Sequence, residues 1–318
     1  SRLKNALFQG TGISRSMVET CNLRGEVLRL IPANAFNALN SFMELIDRSL
    51  KMVRRLKPLP VLARNYNFTT GVIGNSEAAI CSALTLAKSG LDVFLFGTSE
   101  QPLHEKPDHP NLYCFDNSSV KGFAGTLGDF QIFIKSGDLE QTLQVGTVIL
   151  GDKSRKKIPY IHQAGLPSCM VTYSIQKAGK PDRPFLYPGT TSVRGLFLAN
   201  SSGINASNLI KGAAAAAHAA AIMPSGPRQS RGFTVLVDED LCRGCGRCIA
   251  SCPYHAVTLH ENSIGGWSAA VDQAICMGCG NCISVCPTNA ADSPHRNQAF
   301  LEHTLEDILI QGGATFHS

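Results

Sequence analysis

The chain has 318 residues, of which 44% are hydrophobic and 17% are charged. One hydrophobic core rarely grows past about 250–300 residues, so this length predicts more than one domain. No run of about 18 apolar residues occurs, and the first residues lack the apolar stretch of a signal peptide. We therefore expect neither a membrane span nor a secretory leader.

Most of the net charge of +5 comes from the first 60 residues. That segment holds ten Lys or Arg and four Asp or Glu, so the remainder of the chain is close to neutral. We predict a basic, mainly helical segment over residues 1–64, with a helix over 44–56. Its surface fits an acidic partner protein or, alternatively, an ordinary solvated helix face. Nucleic acid is disfavoured because no aromatic residues alternate with the charges.

Residues 65–227 begin with the pattern of a dinucleotide-binding fold. A strand over 68–73, a glycine turn, a helix over 77–89 and a strand over 92–96 follow one another, as in the first half of such a fold. Gly90 is placed to end the helix. The turn supplies the candidate cofactor-binding residues Gly71, Gly74, Asn75 and Ser76.

The nucleotide motif is incomplete. Ser76 and Ala79 stand where the motif has its second and third glycines, and Phe96 ends the strand that should carry an acid for the ribose hydroxyls. Glu77 places a negative charge near the seat of the pyrophosphate, which is unfavourable. FAD binding is therefore left open, and the alternative is a flavin-type domain without a bound flavin.

The end of this segment is similar to the last strand and helix of an FAD domain. A strand from residue 194 leads into an alanine-rich helix over 206–223, and Asn200-Ser201 replaces the usual Gly-Asp. Asn200, Ser201 and Gly203 are the candidate flavin contacts there. Between the two halves we predict a β-meander with strands over 120–123, 130–135 and 147–150. Residues 97–190 are too few to hold a second nucleotide domain as well, so NAD(P) binding is not expected.

Eight of the twelve cysteines form two copies of one motif. The first copy spans residues 242–253 and the second spans 276–287, and every cysteine recurs at an offset of 34 residues. Each copy has three cysteines separated by two residues, glycines between them, and a fourth cysteine followed by proline. The offset indicates a duplicated unit, and we predict that residues 228–294 form one domain.

This spacing is typical of [4Fe-4S] ligation, in which the Cys-Pro cysteine of each copy serves the other cluster. The predicted first cluster is held by Cys242, Cys245, Cys248 and Cys286. The predicted second cluster is held by Cys276, Cys279, Cys282 and Cys252. Zinc is the alternative, but it needs neither the third cysteine nor the Cys-Pro of each copy. Free thiols at this spacing require a metal or a reducing compartment, so we predict a cytoplasmic protein of an anaerobic system.

The other four cysteines show no ligand spacing. Cys21, Cys81, Cys114 and Cys169 are interpreted as small buried hydrophobic residues. Residues 295–318 form a tail with a predicted helix over 300–310, whose apolar stripe packs on the cysteine-rich domain or docks a partner.

The order of these segments resembles the A-type subunits of heterodisulfide reductase and their relatives. The resemblance rests on the stretch 18–24, the basic helix followed by Lys57-Pro58-Leu59, the segments 120–130, 146–150 and 195–197, and the final two-cluster motif. It implies a mixed fold, α/β plus α+β: a reduced flavoprotein-type Rossmann domain followed by a two-cluster ferredoxin-like domain. It also implies membership of a large redox complex and, in the family, bound FAD.

The predicted function is that of an electron-transfer subunit in a heterodisulfide reductase-like complex. Electrons would pass between partner subunits, with no catalytic residue and no substrate chemistry on this chain. One alternative is an FAD-carrying catalytic subunit that bifurcates electrons. A second alternative is a mainly structural assembly subunit.

Overall fold

The computed structural model describes most of the chain. The described residues are 17–28, 35–56, 63–97, 107–116, 118–151, 158–166, 175–176, 189–201, 204–223, 228–229, 234–293 and 301–306, with Thr11, Ile13 and Leu309. The helices are a π-helix over Arg24–Leu28, then α1 (Ala35–Val53), α2 (Glu77–Lys88), α3 (Asn208–Ile222), α4 (Arg247–Ser251) and α5 (Asn281–Ser284). The strands are β1 (Ala63–Arg64), β2 (Thr70–Ile73), β3 (Val93–Phe96), β4 (Leu112–Phe115), β5 (Ser118–Thr126), β6 (Asp129–Ser136), β7 (Leu139–Val145), β8 (Thr147–Leu150), β9 (Tyr160–Ile161), β10 (Ile175–Gln176), β11 (Leu196–Leu198), β12 (Arg228–Gln229), β13 (Leu236–Val237), β14 (Val257–Glu261), β15 (Trp267–Val271) and β16 (Ala291–Asp292).

A five-stranded parallel sheet lies at the centre of the first large domain. Its strand order is β11-β8-β2-β3-β4, and each neighbouring pair is parallel. Strands β2 and β8 read Thr-Gly-Val-Ile and Thr-Val-Ile-Leu and are buried at all four positions. Such continuous apolar runs are expected of parallel strands that are covered on both faces. The predicted Rossmann-like fold class is confirmed.

The two faces of this sheet are covered by different layers. Val72, Ile149 and Phe197 pack against α2 and α3 on one face. The next residue along each strand points to the opposite face, so Ile73, Leu150 and other side chains pack against the second sheet. The domain is therefore three layers deep: two helices, the parallel sheet and a second sheet.

The second sheet corrects part of the predicted meander. Its order is β10-β9-β5-β6-β7, and β5, β6 and β7 are the antiparallel strands. The third strand of the meander is thus Leu139–Val145, and the predicted strand over 147–150 belongs to the parallel sheet instead. Strand β7 is mostly polar and exposed, which hid its period, whereas the fully buried Thr147–Leu150 has the composition of a central parallel strand.

The N-terminal helix also differs from the prediction. Helix α1 begins at Ala35 and ends at Val53, so it starts nine residues earlier than the predicted 44–56. Four of its large apolar side chains are exposed, namely Phe36, Leu39, Met43 and Leu50. In the tail, residues 301–306 are helical, and Leu301, Leu305 and Leu309 are 45%, 59% and 72% exposed. The interpretation that these leucines pack back on the cysteine-rich domain is therefore not supported.

Among the described residues, no helix is both long enough and apolar enough to cross a membrane.

Candidate metal centre

The backbone of residues 234–293 follows the duplication seen in the sequence. Asp238 opens the first cysteine motif, and its Oδ1 accepts hydrogen bonds from the N–H groups of Asp240 and Leu241 at 3.0 and 3.4 Å. Asp272, 34 residues later, does the same for Ala274 and Ile275 at 2.9 and 3.3 Å. In each copy the first cysteine then donates its N–H to the carbonyl oxygen of that aspartate. An aspartate that bonds N–H groups two and three residues ahead fixes a turn, and here each turn places the first cysteine of its motif.

The loops between the cysteines require glycine. Gly244 and Gly246 have φ angles of +62° and +73°, and their counterparts Gly278 and Gly280 have +67° and +79°. A side chain at Gly244 would also run into the backbone of Trp267. Side chains of L residues rarely adopt these angles, so the glycines let the backbone wrap closely around whatever the thiols hold.

The structure brings the Cys-Pro cysteine of each copy to the other copy. Burial raises the pKa of the Cys252 thiol, and the neighbouring Cys279 and Cys276 raise it further. Cys252 therefore lies with the second motif. At the other end, one cavity is lined jointly by Cys286 and the three thiols of the first motif. The two groups of four thiols that the sequence predicted are the groups that the fold places together, and the ligand assignment itself stays a prediction.

The thiols lie in surroundings that disfavour free thiolates. Burial raises the pKa of Cys248 to about 12, with Cys245, Cys242 and Cys282 as further causes. Burial likewise raises the pKa of Cys282 to about 11. Closely spaced buried thiolates repel one another, so they need bound cations to ionise together, and the irons of a cluster supply that charge. This donor set fits the predicted clusters.

Cys286 differs from these thiols. Burial would raise its pKa, but hydrogen bonds from the Ala291 and Thr288 N–H groups and from the Thr288 hydroxyl lower it overall. Backbone N–H groups also reach sulfur elsewhere: Ala256 donates to Cys252 at 3.4 Å and Ala269 donates to Cys242 at 3.4 Å. Such bonds stabilise negative charge on sulfur and are a principal means by which a protein sets a cluster potential.

Within the part of the chain that the structure describes, no three His, Cys, Asp or Glu side chains converge on a single-ion site. A tetrahedral zinc site would draw its sulfurs to within about 4 Å of one another, since each zinc–sulfur bond is about 2.3 Å. The thiolates of a [4Fe-4S] cluster bind its outer corners and need not converge in this way.

The predicted nucleotide site has the fold of a flavin site but not its charge. Gly74, with φ +124°, makes the turn between β2 and α2. Gly71 serves packing instead, because a side chain there would meet Ile132 and Val145 of the second sheet. Phe96 is fully buried and stacks on Phe115 at 4.9 Å, so nothing at that strand end holds a ribose hydroxyl.

The N-terminus of α2 is taken up by the chain's own polar groups. The Ser76 hydroxyl caps the helix by accepting the Ala79 N–H at 3.3 Å. Asn208 donates to the Glu77 carboxylate at 3.2 Å, and Asn200 in turn donates to Asn208 at 3.4 Å. A carboxylate at this position repels a pyrophosphate, so these residues do not fit FAD, and we derive no step through it. Gly203 lies outside the described residues.

The remaining cysteines only partly match their interpretation. Cys81 and Cys114 are half-buried, and the Cys81 thiol donates to the Leu209 carbonyl at 3.3 Å. Cys21 is exposed and its thiol donates to the Ser49 hydroxyl at 2.8 Å, so the expectation that it is buried is wrong. Cys169 lies outside the described residues.

Sequence reasoning missed the junction between the two large domains. The His162 Nε2 lies 2.7 Å from the Val257 carbonyl oxygen. The Gln163 amide donates to the Leu259 carbonyl at 2.6 Å and accepts the Leu259 N–H at 2.8 Å, as a neighbouring strand would. No motif marks these residues, because their role depends on an edge strand 96 residues away.

Comparison with known proteins identifies the cysteine-rich region. Residues 216–290 match the family described as the 4Fe-4S dicluster domain. Over 81 residues the chain is 40% identical to the iron-sulfur subunit "A 2" of CoB–CoM heterodisulfide reductase from Methanopyrus kandleri, covering 24% of this chain and 12% of that protein. A ferredoxin of Pyrobaculum islandicum is 54% identical over 28 residues, which are 9% of this chain and 26% of the ferredoxin. A thioredoxin reductase structure from Gloeobacter violaceus aligns with 50% of this chain and 49% of its own at 16% identity, with a TM-score of 0.23.

Fold and site together define an iron-sulfur protein of the electron-transfer class, in which a flavoprotein-type Rossmann domain precedes a 4Fe-4S dicluster domain that carries two clusters. The predicted resemblance to the A-type subunits of heterodisulfide reductase is confirmed as a sequence similarity. The chain spans only 12% of that relative's length in the alignment.

Proposed function

We propose that this chain is an electron-transfer subunit of a cytoplasmic, heterodisulfide reductase-like complex of an anaerobic system. A bound [4Fe-4S] cluster supplies one-electron transfer. Cys242, Cys245, Cys248 and Cys286 hold the first cluster, and Cys276, Cys279, Cys282 and Cys252 hold the second. The observation that carries the proposal is the exchange of Cys252 and Cys286 between two halves of one duplicated fold.

The exchange keeps the two sites side by side. Cys248 of the first site is close enough to Cys282 of the second for that thiol to contribute to its raised pKa. Both also pack around one small core with Val235 and Ala291. Two redox centres at such short range form a continuous path for an electron inside one small domain.

Each site also has one ligand at the surface. Cys245 and Cys279, which are equivalent in the two copies, are exposed, whereas Cys276 and Cys282 are buried. An exposed ligand brings a redox centre within reach of a docked partner, and two such ligands give the domain two points of electron exchange. This arrangement suits a conduit between partner subunits, and the electron-transfer partners belong to the same complex in this proposal.

A flavin-carrying, bifurcating subunit is the second candidate, because the parallel sheet and the Gly74 turn are those of a nucleotide-binding domain. The Glu77 carboxylate and its link to Asn208 speak against it. The test is to purify the chain and its complex without oxygen and to quantify iron, sulfide and flavin. We expect about eight irons and about eight sulfides per chain, without stoichiometric flavin. About one FAD per chain would overturn the conduit in favour of a flavin subunit.

Replacing the exchanged cysteines tests the ligand sets. Cys252→Ala should remove the electron paramagnetic resonance signal of the second cluster and leave that of the first, and Cys286→Ala should do the reverse. The half-buried Cys81→Ala is the matched control and should keep both signals. If Cys252→Ala instead removed the first cluster, the exchanged assignment would be wrong. If assembly and turnover both survived the loss of a cluster, the chain would have a structural role.

A further inference from the structure

A cleft of about 440 Å³ lies between the second sheet and the dicluster domain. This volume falls in the range of small-molecule sites. Its walls carry Asp129 and Gln131 from one domain, His255 and Asp272 from the other, and His162 of the junction between them. The residues that line the cleft include two carboxylates and neither Lys nor Arg, so the cleft attracts cations and repels anions.

His162 supplies a buried acceptor to this cleft. Its side chain is 1% exposed, and its ring lies 5.2 Å from that of His255. The Val257 carbonyl can only accept, so the Nε2 that lies 2.7 Å away carries the proton. Nδ1 is fully buried and has no hydrogen-bond partner in the chain. In the neutral ring Nδ1 is a bare acceptor, and burial lowers the pKa of His162, which favours that neutral form.

A buried acceptor without a partner is unfavourable unless something donates to it. The donor must be small enough for the cleft and must tolerate two nearby carboxylates. We propose that this cleft binds a small organic cation with N–H donors, a primary ammonium or a guanidinium. One N–H of the cation donates to Nδ1 of His162, and its charge lies against Asp129 and Asp272.

The cleft shares a wall with the second predicted cluster site. Ala256 lines the cleft and donates its N–H to the Cys252 sulfur at 3.4 Å. Asp272 lines it as well and accepts the N–H of Cys276 at 2.8 Å. A cation in the cleft favours the more negative, reduced state of a nearby centre. If the ligand sets of the proposed function hold, an occupied cleft therefore raises the reduction potential of the second cluster and not, to the same extent, that of the first.

The experiment uses the full chain with its clusters and agmatine, which has an ammonium at one end and a guanidinium at the other. Isothermal titration calorimetry is expected to show binding of agmatine and none of 1,4-butanediol, an uncharged analogue of similar length. Asp129→Asn should weaken binding at least tenfold, and His162→Phe should abolish it. Asp138→Asn removes an exposed carboxylate from the far turn of the same hairpin and should bind as the wild type does.

Three results would overturn the proposal: no binding of agmatine to the wild type, equal loss of affinity in Asp129→Asn and Asp138→Asn, or full binding by a folded His162→Phe chain. Asp129→Asn decides the matter should His162→Phe fail to fold. A redox titration followed by electron paramagnetic resonance then tests the coupling. Agmatine should shift the potential of the second cluster upward in the wild type and not in Asp129→Asn, and binding without a shift would overturn the coupling. Agmatine binding by a chain that holds no cluster would overturn the proposed function and leave the cleft site intact.

Discussion

His162 shows how one side chain can couple two domains. It belongs to the segment that follows β9, and its ring is buried between that segment and the dicluster domain, against His255 and the Val257 carbonyl. A histidine in such a place has to remain neutral, because a charged ring would lose its hydration without gaining an anionic partner at bonding distance. Protonation is therefore linked to the stability of the junction.

We predict that stability falls as the pH drops below the ordinary histidine pKa of about 6.5. The pKa of His162 is lowered in the folded chain, by burial first, so the unfolded chain binds this proton more readily. The stabilisation is complete above the unfolded pKa and is lost as the pH falls through it toward the folded pKa. Thermal unfolding between about pH 5 and pH 8 measures this.

His162→Gln should flatten this pH dependence, and the exposed His303→Gln is the control that should keep it. The titratable groups that face His162 across the cleft are His255, Asp129 and Asp272. An unchanged pH profile in His162→Gln would show that one of those groups, and not His162, carries the dependence.

At the scale of single elements, the aspartate turns explain why the duplication extends beyond the cysteines. Asp238 and Asp272 each bond two N–H groups and receive the N–H of the first cysteine in their motif. Each also donates its own N–H to an alanine in the other half, Ala290 and Ala256 respectively, at 2.8 and 2.7 Å. These turns therefore join the two halves as well as placing the thiols.

Replacing these aspartates should affect the two clusters separately. Asp238→Ala is expected to destabilise the first cluster and Asp272→Ala the second, each by about 1 kcal/mol for the lost side-chain bonds. The rate of cluster loss in the presence of an iron chelator, followed by the visible absorption of each, measures this. Asp240→Ala removes a neighbouring exposed carboxylate and should have no effect. Asp238→Asn, which keeps the accepting oxygen, should rescue most of the loss, and failure of that rescue would assign the effect to charge.

For the whole molecule, the Gln163 amide is the clearest link between the Rossmann-type domain and the dicluster domain. It completes the edge of β14 by bonding both the N–H and the carbonyl of Leu259. With the His162 bond, three hydrogen bonds of 2.6 to 2.8 Å cross the junction at neighbouring positions. They hold the dicluster domain in one orientation relative to the second sheet.

Gln163→Ala should loosen this junction without unfolding either domain. Two hydrogen bonds are lost, each worth about 1 kcal/mol, so hydrogen exchange at the Leu259 amide should accelerate by about tenfold or more. Gln141→Ala on the exposed strand β7 is the matched control and should leave that amide unchanged. Equal exchange rates at Leu259 in both variants would mean that packing, and not Gln163, holds the junction.

The sequence by itself determined the chemistry of the dicluster domain. Its information is local: Cys-x-x-Cys spacing, glycines and a 34-residue offset place each thiol within a few residues of its neighbours. It also predicted β2, α2 and β3 closely, because an apolar run, the Ser76 cap and Gly90 mark their ends.

Only the tertiary structure decided how distant segments combine. It assigned Thr147–Leu150 to the parallel sheet and gave the meander its polar strand β7, since strand pairing depends on burial on both faces and not on the order of runs. It set Glu77 against Asn208, 131 residues away, where a nucleotide would need an uncharged turn. It also joined His162 and Gln163 to β14, because a contact between side chain and backbone across domains leaves no periodic trace in either segment.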